Sequence, residues 1–274
     1  MRAVEVFQPV FRPGSPTLDI RGGMDELVSD VRDIRDRCDV VLVGDHKDPR
    51  LLKFSSIQTA ALLEGEAGVK AAPVIVARDS NRAQTLSAIV TAYGLGLTNL
   101  MLAWGDRYPA GGPANVYDFP SLSAVIAEAR TIAESAGLKV RLFAPVDLRT
   151  LGSPGGIRVA RSRLRAGADL LLAQPPTTDS EGVLDAHADL VRAARLKESV
   201  LLGVFPFRSE HDLVSCEGFF GWSLPRSLHK LAGRGEDALI AEARRVSAKL
   251  RSRGFVGVYL STRGTPRIAR RLLG

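Results

Sequence analysis

Eight short apolar runs follow one another along this chain, most of them roughly 30 residues apart, the length of a strand, a crossover helix and its turns. That recurrence leaves few folds open. The runs are Ala3–Phe7, Val40–Val43, Ala72–Ala77, Thr98–Asp106, Val140–Ala144, Asp169–Gln174, Val200–Phe205 and Phe255–Leu260. Most show no alternation of apolar and polar residues, which is how a parallel strand buried on both faces reads. Segments of helical period separate them: Asp25–Arg37, Ser55–Leu63, Asn81–Gly94, Ser121–Ser135, Arg158–Arg165, Val183–Leu196, Leu224–Leu231 and Glu236–Arg253. In the fourth, Leu122, Val125, Ile126, Ala129 and Ile132 share one face, and Gly137 supplies a left-handed stop. A basic helix, Pro266–Leu273, ends the order.

Eight strands joined by right-handed helical crossovers, in a chain of 274 residues, predict a single (β/α)8 TIM barrel spanning residues 1–274. A doubly wound open sheet is the alternative. It wants a glycine-rich turn after the first strand, and the segment from Phe7 to Pro16 is not one. Two stretches, Arg107–Pro120 and Arg208–Pro225, are long enough to serve as binding loops or lids.

No apolar run approaches the roughly 20 residues of a membrane span, and the first ten residues are too broken for a signal peptide. A soluble, cytoplasmic protein without a membrane partner is expected. A net charge of +7 attracts anions in general. Aromatics are few, zinc spacing is missing and the one basic run is Arg267–Arg271, so no nucleic-acid partner is expected. A small polyanionic ligand fits the charge as well as solvated surface does. Cys38 and Cys216 have no metal or redox spacing and read as two buried thiols. Nothing in the pattern selects an oligomeric state.

In a barrel the C-terminal strand ends ring one cavity. Here they carry Glu5, Asp45, Arg78 with Asp79, Asp106, Asp147, Gln174, Phe205 with Phe207, and Ser261 with Thr262. No nucleophile elbow, Walker loop or strand-end Schiff-base lysine appears. A cage of Glu5, Asp45 and His46 lacks any ligand spacing, so no metal is expected. Glu5 lies between Val4 and Val6, and a carboxyl buried there has a raised pKa, as a general acid needs. The competing reading is a structural Glu paired with an Arg such as Arg78. Gln174 offers two donors and an acceptor to a heterocycle edge, or simply caps its strand. Asp106 either works in the cavity or caps the next turn.

Five separated stretches carry a resemblance: Val4–Pro9, Pro73–Arg82, Asn99–Asp106, Arg165–Asp169 through Gln174–Pro175, and Gly203–Ser209. In order and spacing they resemble the methylenetetrahydrofolate reductase family, whose fold is a TIM barrel. The resemblance implies an oxidoreductase of one-carbon metabolism and methionine biosynthesis that reduces 5,10-methylenetetrahydrofolate to 5-methyltetrahydrofolate. It implies that Glu5 is the general acid protonating N10, that Asp106 stabilises the iminium cation, and that Gln174 contacts folate and nicotinamide. Substrate contacts are then Asp106, Gln174 and Phe207, and cofactor contacts are Gln174, Phe205, Trp104 and Arg163.

Family members normally hold FAD. Their flavin contacts include a Thr at the second strand end, a His opening the third strand, an Arg two residues before the key Asp, and a Tyr-Pro-Glu-x-His-Pro segment after strand five. The matching positions here are near Val43-Gly44, Val74, Trp104 and Ala144 to Asp147, and none keeps the family residue. Arg163 stands where the family has a Lys toward the phosphates. These departures weigh against FAD and for hydride transfer straight from NADH. Three alternatives stay open: an FAD-dependent reductase, a folate-binding methyltransferase-type barrel, and a non-catalytic relative.

Overall fold

In the computed structural model all eight runs become strands. They are β1 (Arg2–Val6), β2 (Val40–Val43), β3 (Ala71–Val76), β4 (Asn99–Ala103), β5 (Arg141–Asp147), β6 (Leu170–Gln174), β7 (Val200–Val204) and β8 (Val258–Ser261). Each strand pairs in parallel with its sequence neighbours, and β8 pairs with β1, which closes the barrel. The structure describes residues 1–11, 19–45, 52–106, 114–178, 182–262 and 266–273.

Strand side chains alternate between two apolar environments, which is why both faces had to be apolar. Ala3, Leu42, Val74, Met101, Phe143 and Leu172 point inward and fill the barrel. Val4, Val41, Ile75, Leu100, Leu142 and Leu171 point outward and pack against helices. Full burial of one such leucine contributes about 1.5–3 kcal/mol, so the two layers together hold the barrel shut.

Most helices lie where the period predicts, and side-chain caps start several of them. They are α1 (Ile20–Arg32), α2 (Ser56–Leu62), α3 (Arg82–Gly94), α4 (Leu122–Ser135), α5 (Pro154–Arg165), α6 (Val183–Ala193), α7 (Glu210–Phe220), α8 (Arg226–Ala232), α9 (Glu236–Ser252) and α10 (Arg267–Leu273). Asn81 and Gln84 form a reciprocal capping box on α3. Ser153 caps α5 through Gly156 N, with Pro154 as its first residue, so this helix starts four residues earlier than its apolar period suggests. α1 likewise starts early, at an Asp19 cap.

One helix departs from expectation altogether. The stretch Arg208–Pro225, expected as loop or lid, contains α7, capped by the Ser209 side chain on Asp212 N. Its apolar stripe is thin, since Leu213 and Cys216 are buried while Val214 and Phe219 are exposed. Residues 107–113 of the other expected loop, and His46, lie outside the described residues. Cys38 and Cys216 form no disulfide; Cys216 is buried, but Cys38 is only half-buried, correcting the expectation of two buried thiols.

Candidate active site

Glu5 is the inward residue two places after Ala3, level with Ser261 of β8 and Leu42 of β2. On β8 the inward residue below Ser261 is Tyr259, level with Ala3 on one side and Gly203 on the other. Those small neighbours leave room for the ring. A Cβ on Gly203 would stand 2.8 Å from the Ala173 carbonyl and 3.6 Å from the Tyr259 ring, so the close approach needs glycine there.

A hydrogen-bond chain crosses the barrel at this level. Gln174 Nε2 donates to the Tyr259 phenol oxygen (2.9 Å), and Tyr259 donates to Glu5 Oε2 (2.5 Å). Ser261 Oγ donates to the same Oε2 (2.6 Å). Thr262 Oγ1 fixes the backbone beneath by donating to the Glu5 carbonyl (2.7 Å). Burial pushes the Glu5 carboxyl above the usual carboxylate range; the Ser261 and Tyr259 donors pull it partly back, and the charge of Asp106 adds to the rise. Burial and the neighbouring Glu5 likewise keep the Tyr259 phenol un-ionised well above the ordinary tyrosine range. The arrangement is a carboxyl held in place and biased by burial towards its protonated form, the bias a general acid needs.

Asp106 follows β4 through Gly105, whose φ of 97° turns the chain sharply at the strand end. The buried Arg78 guanidinium grips this turn: it donates to the Asp106 carbonyl and, through Nε, to Asp79 Oδ2 at 2.9 Å. Arg78 therefore engages Asp79 and Asp106, not Glu5. The Asp106 side chain is exposed, close enough for its charge to act on Glu5.

The structure brings Glu5, Gln174, Phe205 and Phe207 to one end of the barrel. Phe205 sets its edge against the Tyr259 ring, with centroids 6.4 Å apart, and stands 6.3 Å from Phe207. Two expected residues lie elsewhere. Trp104 keeps the outward parity of Leu100 and Leu102; it packs on the helix-facing core and stacks flat on Tyr117, centroids 4.3 Å apart. Arg163 sits in the last turns of α5, which runs back from the mouth, and its guanidinium is spent on the Pro145 carbonyl. Neither joins the interior cluster.

Two residues at this end were not singled out by the sequence. Tyr259 looked like strand filler; its inward parity with Ser261 was the available signal. Arg149 is clamped in a fork by Asp147 (2.7–3.2 Å) and donates to the Phe220 carbonyl (2.7 Å), tying β5 to α7. Arg149 holds the Asp147 carboxyl below its usual range. Asp45 is paired with Lys53 at 2.9 Å. Among the described residues no cluster of three or more His, Cys, Asp or Glu could hold a metal, and none of their helices is long and apolar enough to cross a membrane.

Comparison with solved structures finds the same architecture. One structure of similar fold is a protein from Clostridium thermocellum that binds two copies of 5-methyl-5,6,7,8-tetrahydrofolic acid; it is 9% identical, over 100% of this chain and 95% of that one, with a TM-score of 0.63. The fold is shared. Another is 2,3-dimethylmalate lyase of the PEP mutase/isocitrate lyase superfamily, 12% identical over 96% of this chain and 74% of that one, with a TM-score of 0.54. At such identities the likeness establishes the TIM barrel. No family model and no curated protein matches the chain.

Proposed function

We propose that the protein reduces 5,10-methylenetetrahydrofolate to 5-methyltetrahydrofolate, with hydride passed directly from NADH. The observation that carries this reading is the Glu5 acid, held by Tyr259 and Ser261 and facing the Asp106 charge. Glu5 gives its proton to N10, the N10–methylene bond breaks with its electron pair going to N10, and an iminium forms at N5. A fixed carboxylate at Asp106 stabilises that cation. Hydride from NADH then reaches the methylene carbon, leaving a methyl group and NAD⁺. On this reading Gln174 contacts both the folate and the nicotinamide, and Phe207 the folate.

The folate-binding protein from Clostridium thermocellum supports the substrate class, since its ligand is the product of this reaction. The residues do not fit a flavin. Where the resembled family places its flavin contacts, Val74 is packed inside the barrel, Ala144 faces the helices and Trp104 is stacked on Tyr117. Val74 and Ala144 have no polar side-chain group to offer an isoalloxazine edge, and one face of Trp104 is already covered by Tyr117.

The test is the visible spectrum of the purified protein, followed by NADH oxidation with methylenetetrahydrofolate under anaerobic conditions. A colourless protein that oxidises NADH only when the folate is present is expected. A yellow protein, or turnover that needs added FAD, would overturn direct transfer. No NADH oxidation under either condition would overturn the reductase reading.

A further inference from the structure

The two carboxyl oxygens of Glu5 are not equivalent. Oε2 receives both O–H donors, from Tyr259 at 2.5 Å and Ser261 at 2.6 Å. No hydrogen bond to Oε1 is formed by any described residue, and Glu5 keeps part of its surface accessible. A neutral carboxyl carries its proton on one oxygen, and an oxygen already facing two O–H hydrogens is the wrong one. Tyr259 has a fixed donor on its other side. Its oxygen faces the Gln174 amide N–H, which can only donate, so the phenol proton is directed at Glu5.

We propose that Tyr259 is a positioning residue for the acid: backed by Gln174, it holds the transferable proton of Glu5 on Oε1 and receives the charge on Oε2 when that proton leaves. The inference rests on the reductase reading for the identity of the acceptor, N10 of the folate. In the step the Oε1–H bond breaks and an N10–H bond forms. The electron pair stays on the Glu5 carboxylate, where the Tyr259 and Ser261 hydrogens already stand, so no group has to reorient as charge develops. Solvent resupplies the proton in the next cycle.

Among the described residues the titratable groups that act on Glu5 are Tyr259 from β8 and Asp106 beyond β4; Asp45 beyond β2 is paired with Lys53 at 2.9 Å. Removing the phenol from this set takes away a donor that favours the carboxylate.

The experiment is a titration of Glu5 in the full-length protein, followed through isotope-labelled glutamate carboxyls and assigned with Glu5→Gln. In Tyr259→Phe the Glu5 titration is expected to move up by about one to two pH units, the equivalent of one lost charge-assisted hydrogen bond. The alkaline limb of NADH turnover should move with it, and kcat should fall roughly 10- to 100-fold with the folate KM changed less. Gln174→Leu, which leaves the phenol in place, should move the titration the same way by a smaller amount. An unmoved titration in both variants overturns the assignment, whatever the activity. Absence of turnover in the unmodified protein instead overturns the reductase reading, while the titration still decides the role of Tyr259.

Discussion

Tyr259 donates its phenol hydrogen to Glu5 Oε2 at 2.5 Å across 254 residues of sequence, because β8 and β1 are the pair that closes the barrel. The acid is thus assembled by the last step of the topology. A chain that has not closed its barrel has Glu5 in water, with an ordinary carboxyl and no partner.

Replacing Glu5 by Gln should separate function from stability. Turnover is expected to fall by about 10²-fold or more, with folate binding retained. The folded carboxyl has a raised pKa, so its stabilising contribution is complete below 4.5 and is lost as pH rises through the folded value. Above pH 4.5 ionisation of the unfolded carboxyl draws on that contribution whereas the amide has no charge to bury, and Glu5→Gln should melt at or above the temperature of the unmodified protein. Thermal melts at neutral pH and an equilibrium folate titration check both halves.

Asp106 is aimed by the turn at Gly105. A Cβ there would meet the Val76 side chain at 2.7 Å and the Arg78 Cβ at 2.8 Å, and φ is 97°. Gly105→Ala should cost about 1–3 kcal/mol of stability and lower kcat by an order of magnitude or more through displacement of Asp106. Asp106→Asn, which leaves the turn intact, should lower kcat by about 10²–10³-fold without that loss of stability. Melting curves and steady-state kinetics on the two variants distinguish aim from charge.

His229 gives the α7–α8 packing an alkaline sensitivity. It meets Glu210 at 2.6 Å and Glu217 at 3.2 Å, and these partners raise its pKa. A raised folded value means the stabilisation is complete below 6.5 and is lost as pH rises through that value. For so accessible a group the effect should be at most about 1 kcal/mol. Denaturant midpoints across this range should show the loss, and His229→Gln should remove it.

His187 acts in the opposite direction. It is buried in α6 near Trp222, its Nδ1 has no hydrogen-bond partner, and burial lowers its pKa to about 4. A depressed histidine contributes stability that is complete above 6.5 and is lost as pH falls towards 4. The loss should amount to roughly 3 kcal/mol at most. Acid unfolding of His187→Leu should accordingly begin at lower pH.

The strands were legible because a barrel buries both faces, and Val40–Val43 or Leu170–Leu172 can be nothing else. Glu5 was legible because a carboxyl in such a run is anomalous. Tyr259 was not, because a tyrosine in a strand reads as packing until the closing register sets it beside Glu5. Trp104 was misplaced for a related reason: its parity follows Leu102 outward, and only at Gly105 does the chain turn back to the mouth. α7 escaped because its buried stripe is too narrow to give a helical period, and its Ser209 cap looks like ordinary loop chemistry. Arg149 escaped because an arginine two places after an acid is normally solvated surface.

The central claim is that hydride passes from NADH to the folate with no carrier between them, while Glu5 supplies the proton. NADH deuterated at the transferred position, used with methylenetetrahydrofolate in ordinary water, tests it most directly. Retention of the deuterium in the methyl group of 5-methyltetrahydrofolate is predicted. Methyl product in which that deuterium has been exchanged for solvent hydrogen, as happens at a reduced flavin, would contradict the account.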